Sequence, residues 1–252
     1  MDSYQTLVSK LASAERVAAL TGAGVSAESG IATFRDPGGL WQQFNPRELA
    51  SIEGFMSNPD RVWAWYESRR SVIDESRPNP GHYALARMEE LFKSFTLITQ
   101  NIDRLHARAG SHDVVELHGN IVDNRCFKCH RPYVGETRFE DGSLPRCESC
   151  GGLVRPAVVW FGENLPEEAL IKAEAAAENA EVFFSIGTSA DVYPAAGLPL
   201  LAKRRGAFVV EINVNRTSLT PYADAHLMGT SGEVLPKLLA DVVDYRNNRV
   251  AQ

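Results

Sequence analysis

Hydrophobic positions along the chain alternate between short apolar runs and segments with helical spacing. Residues 2–14 carry Leu7, Leu11 and Ala14 on one helical face. Arg16–Leu20, Phe95–Thr99, Val114–Leu117, Ala157–Trp160, Glu181–Ile186 and Ala207–Ile212 are short, apolar and β-compatible. Helix-like stretches stand between several of them, at 83–92, 103–109, 166–180 and 194–204, the last opening at Pro194; a closing helix is expected over 232–244. This alternation predicts an α/β fold, a Rossmann-like, mostly parallel sheet with helices on both faces. Residues 36–80 and 121–156 interrupt the pattern. They read as insertions that form a smaller module, one helical and one carrying a four-cysteine zinc ribbon. The larger part then comprises residues 1–35, 81–120 and 157–252 of a single domain.

Composition narrows the field of functions. The 252 residues carry a net charge of −6, which argues against broad nucleic-acid binding. No apolar stretch reaches the roughly 18 to 20 residues that span a bilayer. The N-terminus lacks the regions of a signal peptide, so a cytoplasmic location is expected. All four cysteines fall in Cys126-x-x-Cys129 and Cys147-x-x-Cys150, two knuckles separated by seventeen residues. Two disulfides or redox-active pairs are the alternatives to a metal. A reducing compartment disfavours the first and the absence of a thioredoxin-like context the second. Four thiolates around one Zn²⁺ leave no open coordination position, so the metal is expected to be structural.

Thr21-Gly22-Ala23-Gly24-Val25-Ser26-Ala27 breaks an apolar strand into a glycine-rich turn. The pattern satisfies the dinucleotide fingerprint in its alanine-ended form, although a tight turn without ligand has the same appearance. Other strand ends carry Gln100-Asn101-Ile102-Asp103, His118-Gly119, Gly187-Thr188-Ser189 and Asn213. Open α/β sheets bind ligands beyond these carboxyl ends, and five such sites converge there.

These blocks, together with Thr33-Phe34-Arg35 and Val158-Val159-Trp160-Phe161-Gly162-Glu163, occur in an order that resembles the sirtuins, NAD-dependent protein-lysine deacylases. The resemblance covers nearly the whole chain. It implies that NAD is consumed as co-substrate: the acyl oxygen attacks the nicotinamide-bearing ribose carbon and nicotinamide leaves. A ribose hydroxyl then attacks, and water releases lysine and 2′-O-acyl-ADP-ribose. By the same resemblance His118 is the general base, and Asn101 a second catalytic residue expected to position water. Gly22, Ala23, Gly24, Ser26, Ala27, Glu28, Ile31, Thr33, Phe34, Arg35, Trp41, Gln100, Ile102 and Asp103 contribute to cofactor binding. Gly187, Thr188, Ser189, Asn213, Val214, Asn215 and Ser231 complete that set. Val159, Phe161, Gly162 and Glu163 are expected to pair with an acyl-lysine peptide as an added strand.

Tyr66 and Arg69 stand three residues apart in a helix-like stretch, which puts both on one face. They resemble the Tyr-x-x-Arg signature of the prokaryotic class III sirtuins, which remove succinyl, malonyl or glutaryl groups. A guanidinium holds a distal carboxylate through two hydrogen bonds. Three other readings compete. A conventional dehydrogenase requires an acidic residue about twenty positions past the fingerprint, where Gly38-Gly39-Leu40-Trp41 stands instead. A nucleic-acid-binding zinc ribbon lacks its basic cluster in 121–156. A sirtuin acting as a plain deacetylase, or with ADP-ribosyl transfer as a side activity, stays open.

Overall fold

The computed structural model describes residues 3–34, 39–137 and 142–250, except for the side chains of Trp41 and Val250. Six strands form a parallel sheet: β1 Arg16–Thr21, β2 Ser94–Thr99, β3 Val114–Glu116, β7 Val182–Ile186, β8 Phe208–Asn213 and β9 Ala225–Met228. Their spatial order is β3-β2-β1-β7-β8-β9. A second, antiparallel sheet has the order β5-β4-β6, built from β4 Gly119–Cys126, β5 Pro132–Tyr133 and β6 Val154–Val158.

The apolar runs are continuous because both faces of the large sheet are covered. Successive residues of one strand enter opposite cores. Val17, Ala19, Phe184 and Val210 pack with Leu7, Leu85 and Leu238 on one side. Ala18, Leu20, Phe183 and Val209 pack with Ala173, Ala177 and Leu198 on the other. A third core joins Phe55, Trp63 and Tyr66 to Ile121, Val154 and Trp160. It seats the helix Pro59–Glu75 against the small sheet.

Several elements depart from the sequence pattern. The strand expected at Ala157–Trp160 lies at Val154–Val158 and joins the small antiparallel sheet, where it pairs with β4. Its apolar residues face the third core, a burial the run alone does not distinguish from the main sheet. The helix expected from Pro194 opens as a 3₁₀ turn at Ala195–Gly197 before Leu198–Arg204. The closing helix runs Ser231–Val250, past the expected end at 244. Arg246 holds the extra turn by donating to the carbonyls of Leu11, Ala12 and Leu91. β9, Ala-His-Leu-Met, is too short and mixed for periodicity to reveal.

Candidate functional site

The chain leaves β1 for β2 on one side, and β7 flanks β1 on the other. This is the topological switch point, where an open α/β sheet has its crevice. The glycine turn sits there, and a cavity of about 680 Å³ opens beside it. Gly22 donates to the Ile186 carbonyl at 3.0 Å and Gly24 to the Gly187 carbonyl at 2.8 Å. A Cβ at Gly24 would lie 2.8 Å from both the Cα and the O of Gly187, whose own φ is +60°. The two turns therefore interlock by backbone contact. That packing alone requires glycine at 22, 24 and 187, before any ligand is considered. Ala23 and Ala27 also face the cavity, and the helix after the turn, Gly24–Ala27, is a single turn long.

Behind the turn lies a buried polar knot. Ser26 Oγ donates to Asp103 Oδ2 at 2.7 Å, and Asn101 Nδ2 donates to the Gly22 carbonyl at 3.0 Å and to Ser26 Oγ at 3.2 Å. Asp103 Oδ1 accepts the Leu105 amide at 2.8 Å. Burial pushes the Asp103 carboxyl above its ordinary range, opposed by the Leu105 amide, Ser26 and Arg108. Ser26, Ile31, Asn101, Ile102, Asp103 and Arg69 line a small chamber of about 30 Å³. Ala23, Phe34, Trp65, Asn101 and Ile102 line both this chamber and the large cavity, so the two adjoin. Beneath them Thr21 Oγ1 bonds Thr99 Oγ1 at 2.8 Å and His106 Nε2 at 2.9 Å, and Thr99 Oγ1 accepts the Asn101 amide.

His118 lines the large cavity. Its Nδ1 lies 3.0 Å from the Gln100 carbonyl, which accepts only from a protonated nitrogen. The neutral ring therefore leaves Nε2 unprotonated, as a base requires. Burial pushes the imidazole below its ordinary pKa, although the Gln100 carbonyl acts in the opposite direction. Gly119 follows with φ +65°, and a Cβ there would meet the Ala157 carbonyl at 2.0 Å. Next to it, Asn120 is buried and donates to Glu116 and Asp123.

The far wall comprises Gly187, Thr188, Ser189, Asn213, Val214 and Asn215. Asn213 Nδ2 donates to the Thr188 carbonyl at 2.9 Å, and Gln100 Nε2 to Thr188 Oγ1 at 3.3 Å. Glu28 does not line the cavity. Its carboxylate accepts from Thr230 Oγ1, Ser231 Oγ and the Gly232 amide, so it fixes the start of the closing helix. Thr33 and Phe34 reach the cavity, while Arg35 and the Trp41 side chain lie outside the described residues.

Val159, Phe161, Gly162 and Glu163 form another wall of the cavity. The Val159 amide donates to the His118 carbonyl, and the Phe161 amide to that of Ala50. Glu163 is internally engaged. It meets Arg155 with both oxygens, at 2.6 and 3.0 Å, and caps the Trp160 amide at 2.8 Å. Sequence reasoning missed Arg155, a fully buried cation in an apolar strand whose oddity in Val-Arg-Pro-Ala-Val was its one visible signal. Tyr66 is buried beside the large cavity, whereas Arg69 faces the small chamber and makes no hydrogen bond or ion pair with the described residues. Burial lowers the Arg69 pKa from its ordinary value.

The four cysteine sulfurs lie within 4.8 Å of one another, with Cys126–Cys150 at 3.4 Å and Cys129–Cys147 at 3.7 Å. Tetrahedral Zn–S bonds of ~2.3 Å place sulfurs ~3.8 Å apart, so the set fits one zinc. The amides of Lys128 and Cys129 point at Cys126 Sγ, the arrangement that stabilises a thiolate. A Cβ at Gly152 would lie 3.1 Å from that sulfur. Among the described residues no helix is long and apolar enough to cross a membrane.

A family model described as "Sir2 family" matches residues 22–194. NAD-dependent protein deacylase 2 of Pyrobaculum aerophilum is 51% identical over 232 residues, covering 92% of this chain and 93% of that protein. The crystal structure of a Sir2 homologue–NAD complex superposes with a TM-score of 0.89 at 45% identity, over 96% of this chain and 94% of the other. A Sir2 protein bound to a deacetylated p53 peptide and 3′-O-acetyl ADP-ribose superposes with a TM-score of 0.86 at 34% identity, over 94% and 97% of the two chains.

Proposed function

This chain belongs to the Sir2 family of NAD-dependent protein deacylases, and within that activity we propose that it removes carboxyl-terminated acyl groups (succinyl, malonyl or glutaryl) from lysine as well as acetyl, with His118 as general base. The observation that carries the acyl reading is the pair of donors on one helix. Arg69 is a half-buried guanidinium without a partner among the described residues, and Tyr66 presents a buried phenol three positions away. A half-buried cation with no internal partner is unfavourable unless a ligand carboxylate completes it.

NAD, when bound, supplies an electrophilic ribose carbon and nicotinamide as leaving group. The rest of the task belongs to the protein. His118 removes the ribose hydroxyl proton at Nε2, the nitrogen its bond to Gln100 leaves free. Asn101, Ser26 and Asp103, already tied to each other, orient the nicotinamide ribose and nicotinamide. The glycine turn with Thr188, Ser189 and Asn213 receives the phosphates and the adenosine ribose, and Phe34 shields the reacting carbon. Val159 to Glu163 offers backbone to a peptide strand. The zinc-bearing segment and the helix Pro59–Glu75 form one small module that closes this side. A reducing compartment suits the four free thiols.

Nicotinamide release from NAD, measured with matched acetyl-lysine and succinyl-lysine peptides and checked by product mass, tests the reading. Faster turnover of the succinyl peptide is expected. Turnover of acetyl alone discards the acidic-acyl assignment, and release with neither overturns the deacylase reading.

A further inference from the structure

Trp160 Nε1 lies 2.8 Å from Tyr66 Oη. An indole N–H is a donor only, so the phenol oxygen must accept. Its own hydrogen then points away from Trp160. No described residue accepts that hydrogen, and Tyr66 lines the large cavity. Two rings deny the phenol another orientation: Trp65 meets it edge-on at 4.8 Å, and Trp160 flanks it at 6.4 Å.

The donor is itself fixed from behind. The Arg155 guanidinium stands 3.2 Å from the centre of the Trp160 ring, and Glu163 grips it with both oxygens. A cation over the ring pins the indole and draws density from it, which strengthens the N–H as a donor. Burial holds the Tyr66 phenol well above its ordinary pKa, so it keeps the hydrogen at neutral pH. Resting on the acidic-acyl reading, we propose that Trp160 is a positioning residue for acyl selection. By occupying the phenol oxygen from one side, it turns the Tyr66 O–H into a fixed donor toward the distal carboxylate of the acyl group.

Matched succinyl and acetyl peptide kinetics on the wild type, Tyr66→Phe, Trp160→Phe and the double variant test this. Tyr66→Phe is expected to lower the succinyl-to-acetyl ratio of kcat/KM by about ten- to hundredfold, through the KM of the succinyl peptide, as loss of one hydrogen bond to a charge requires. Trp160→Phe should lower the ratio by a comparable factor, and the double variant no further than Tyr66→Phe alone. Additive losses, or a wild-type ratio in Trp160→Phe, overturn the positioning role while leaving the acidic-acyl reading intact. A wild type indifferent to the acyl group, or a Tyr66→Phe variant with an unchanged ratio, overturns both. Should Trp160→Phe fail to fold, the indole N–H spectrum of ¹⁵N-labelled protein, with four tryptophans, decides. Tyr66→Phe must then move one indole signal to its unbonded position and speed its solvent exchange; an unchanged spectrum overturns the proposal.

Discussion

Replacing Arg155 with Met keeps an apolar stem in the third core but removes the charge that organises the Val159–Glu163 wall. The arginine is 1% exposed and serves Glu163 twice, the Val158 carbonyl at 2.5 Å and the Pro156 carbonyl at 3.3 Å. Removing one partner of such a buried pair costs about 3–5 kcal/mol, because the other charge stays behind. Glu163 would retain the Trp160 amide and Arg125 at 3.4 Å, which places the loss near the lower end, about 3 kcal/mol. For a chain of this length each kcal/mol moves Tm by roughly 2–4 °C, so a drop of about 6–12 °C is expected by scanning calorimetry at pH 7. Burial raises the Glu163 pKa, but Arg155 and the Trp160 amide outweigh it and hold the carboxyl below its ordinary value of 4.5. The stabilisation is therefore complete above that ordinary value and disappears as pH falls through the lower folded one. The difference between wild type and variant should shrink only at strongly acid pH. Adding Glu163→Gln to Arg155→Met should recover part of the loss. A drop below 2 °C at pH 7, or a double variant as unstable as the sum of the singles, refutes the buried-pair argument.

His118→Tyr should abolish deacylation with circular dichroism unchanged, and the acid limb of wild-type kcat/KM should fall below pH 6.5 because burial lowers the imidazole pKa; near-normal turnover in the variant removes the base assignment. Arg69→Met should reduce desuccinylation at least about tenfold more than deacetylation, the worth of a charged hydrogen bond, without lowering Tm, since it breaks no internal pair; equal losses make Arg69 structural. Stripping zinc with a chelator, or Cys129→Ser, should unfold the segment around the cysteines and lower Tm, with metal content measured in parallel; unchanged stability contradicts a structural metal. Burial pushes His82 down to about 4, and burial together with the neighbouring His82 charge pushes His106 down to about 3. Both rings take protons only on unfolding, so stability should decline as pH falls from 6.5 toward 4, by up to about 1.4 kcal/mol per pH unit for each ring; urea midpoints that stay level over that range refute their buried neutrality.

Local chemistry made much of the site readable in the chain. Two Cys-x-x-Cys knuckles made a metal site legible by their spacing together with the expected reducing compartment, because each short turn aims two sulfurs at one point. Polar residues at the ends of β1, β2, β7 and β8 marked the crevice, since parallel strands carry their carboxyl ends to one edge. Burial on both faces was legible as unbroken apolar runs. Which sheet received Val154–Val158 was not, because an apolar run records burial and not the partner that provides it. Glu28 and Glu163 stand in site-like motifs, yet both carboxylates hold the frame, one at the closing helix and one beneath Trp160. Their partners, Gly232 and Arg155, lie in other elements, and only the fold decides which charges meet. The interlock of Gly22 and Gly24 with Gly187 has the same origin. The sequence by itself determined the chemical groups and their order; the tertiary structure decided which donors were already satisfied inside the protein and which, Tyr66 and Arg69 among them, find no acceptor among the described residues, because hydrogen bonding is settled by proximity between segments distant in the chain.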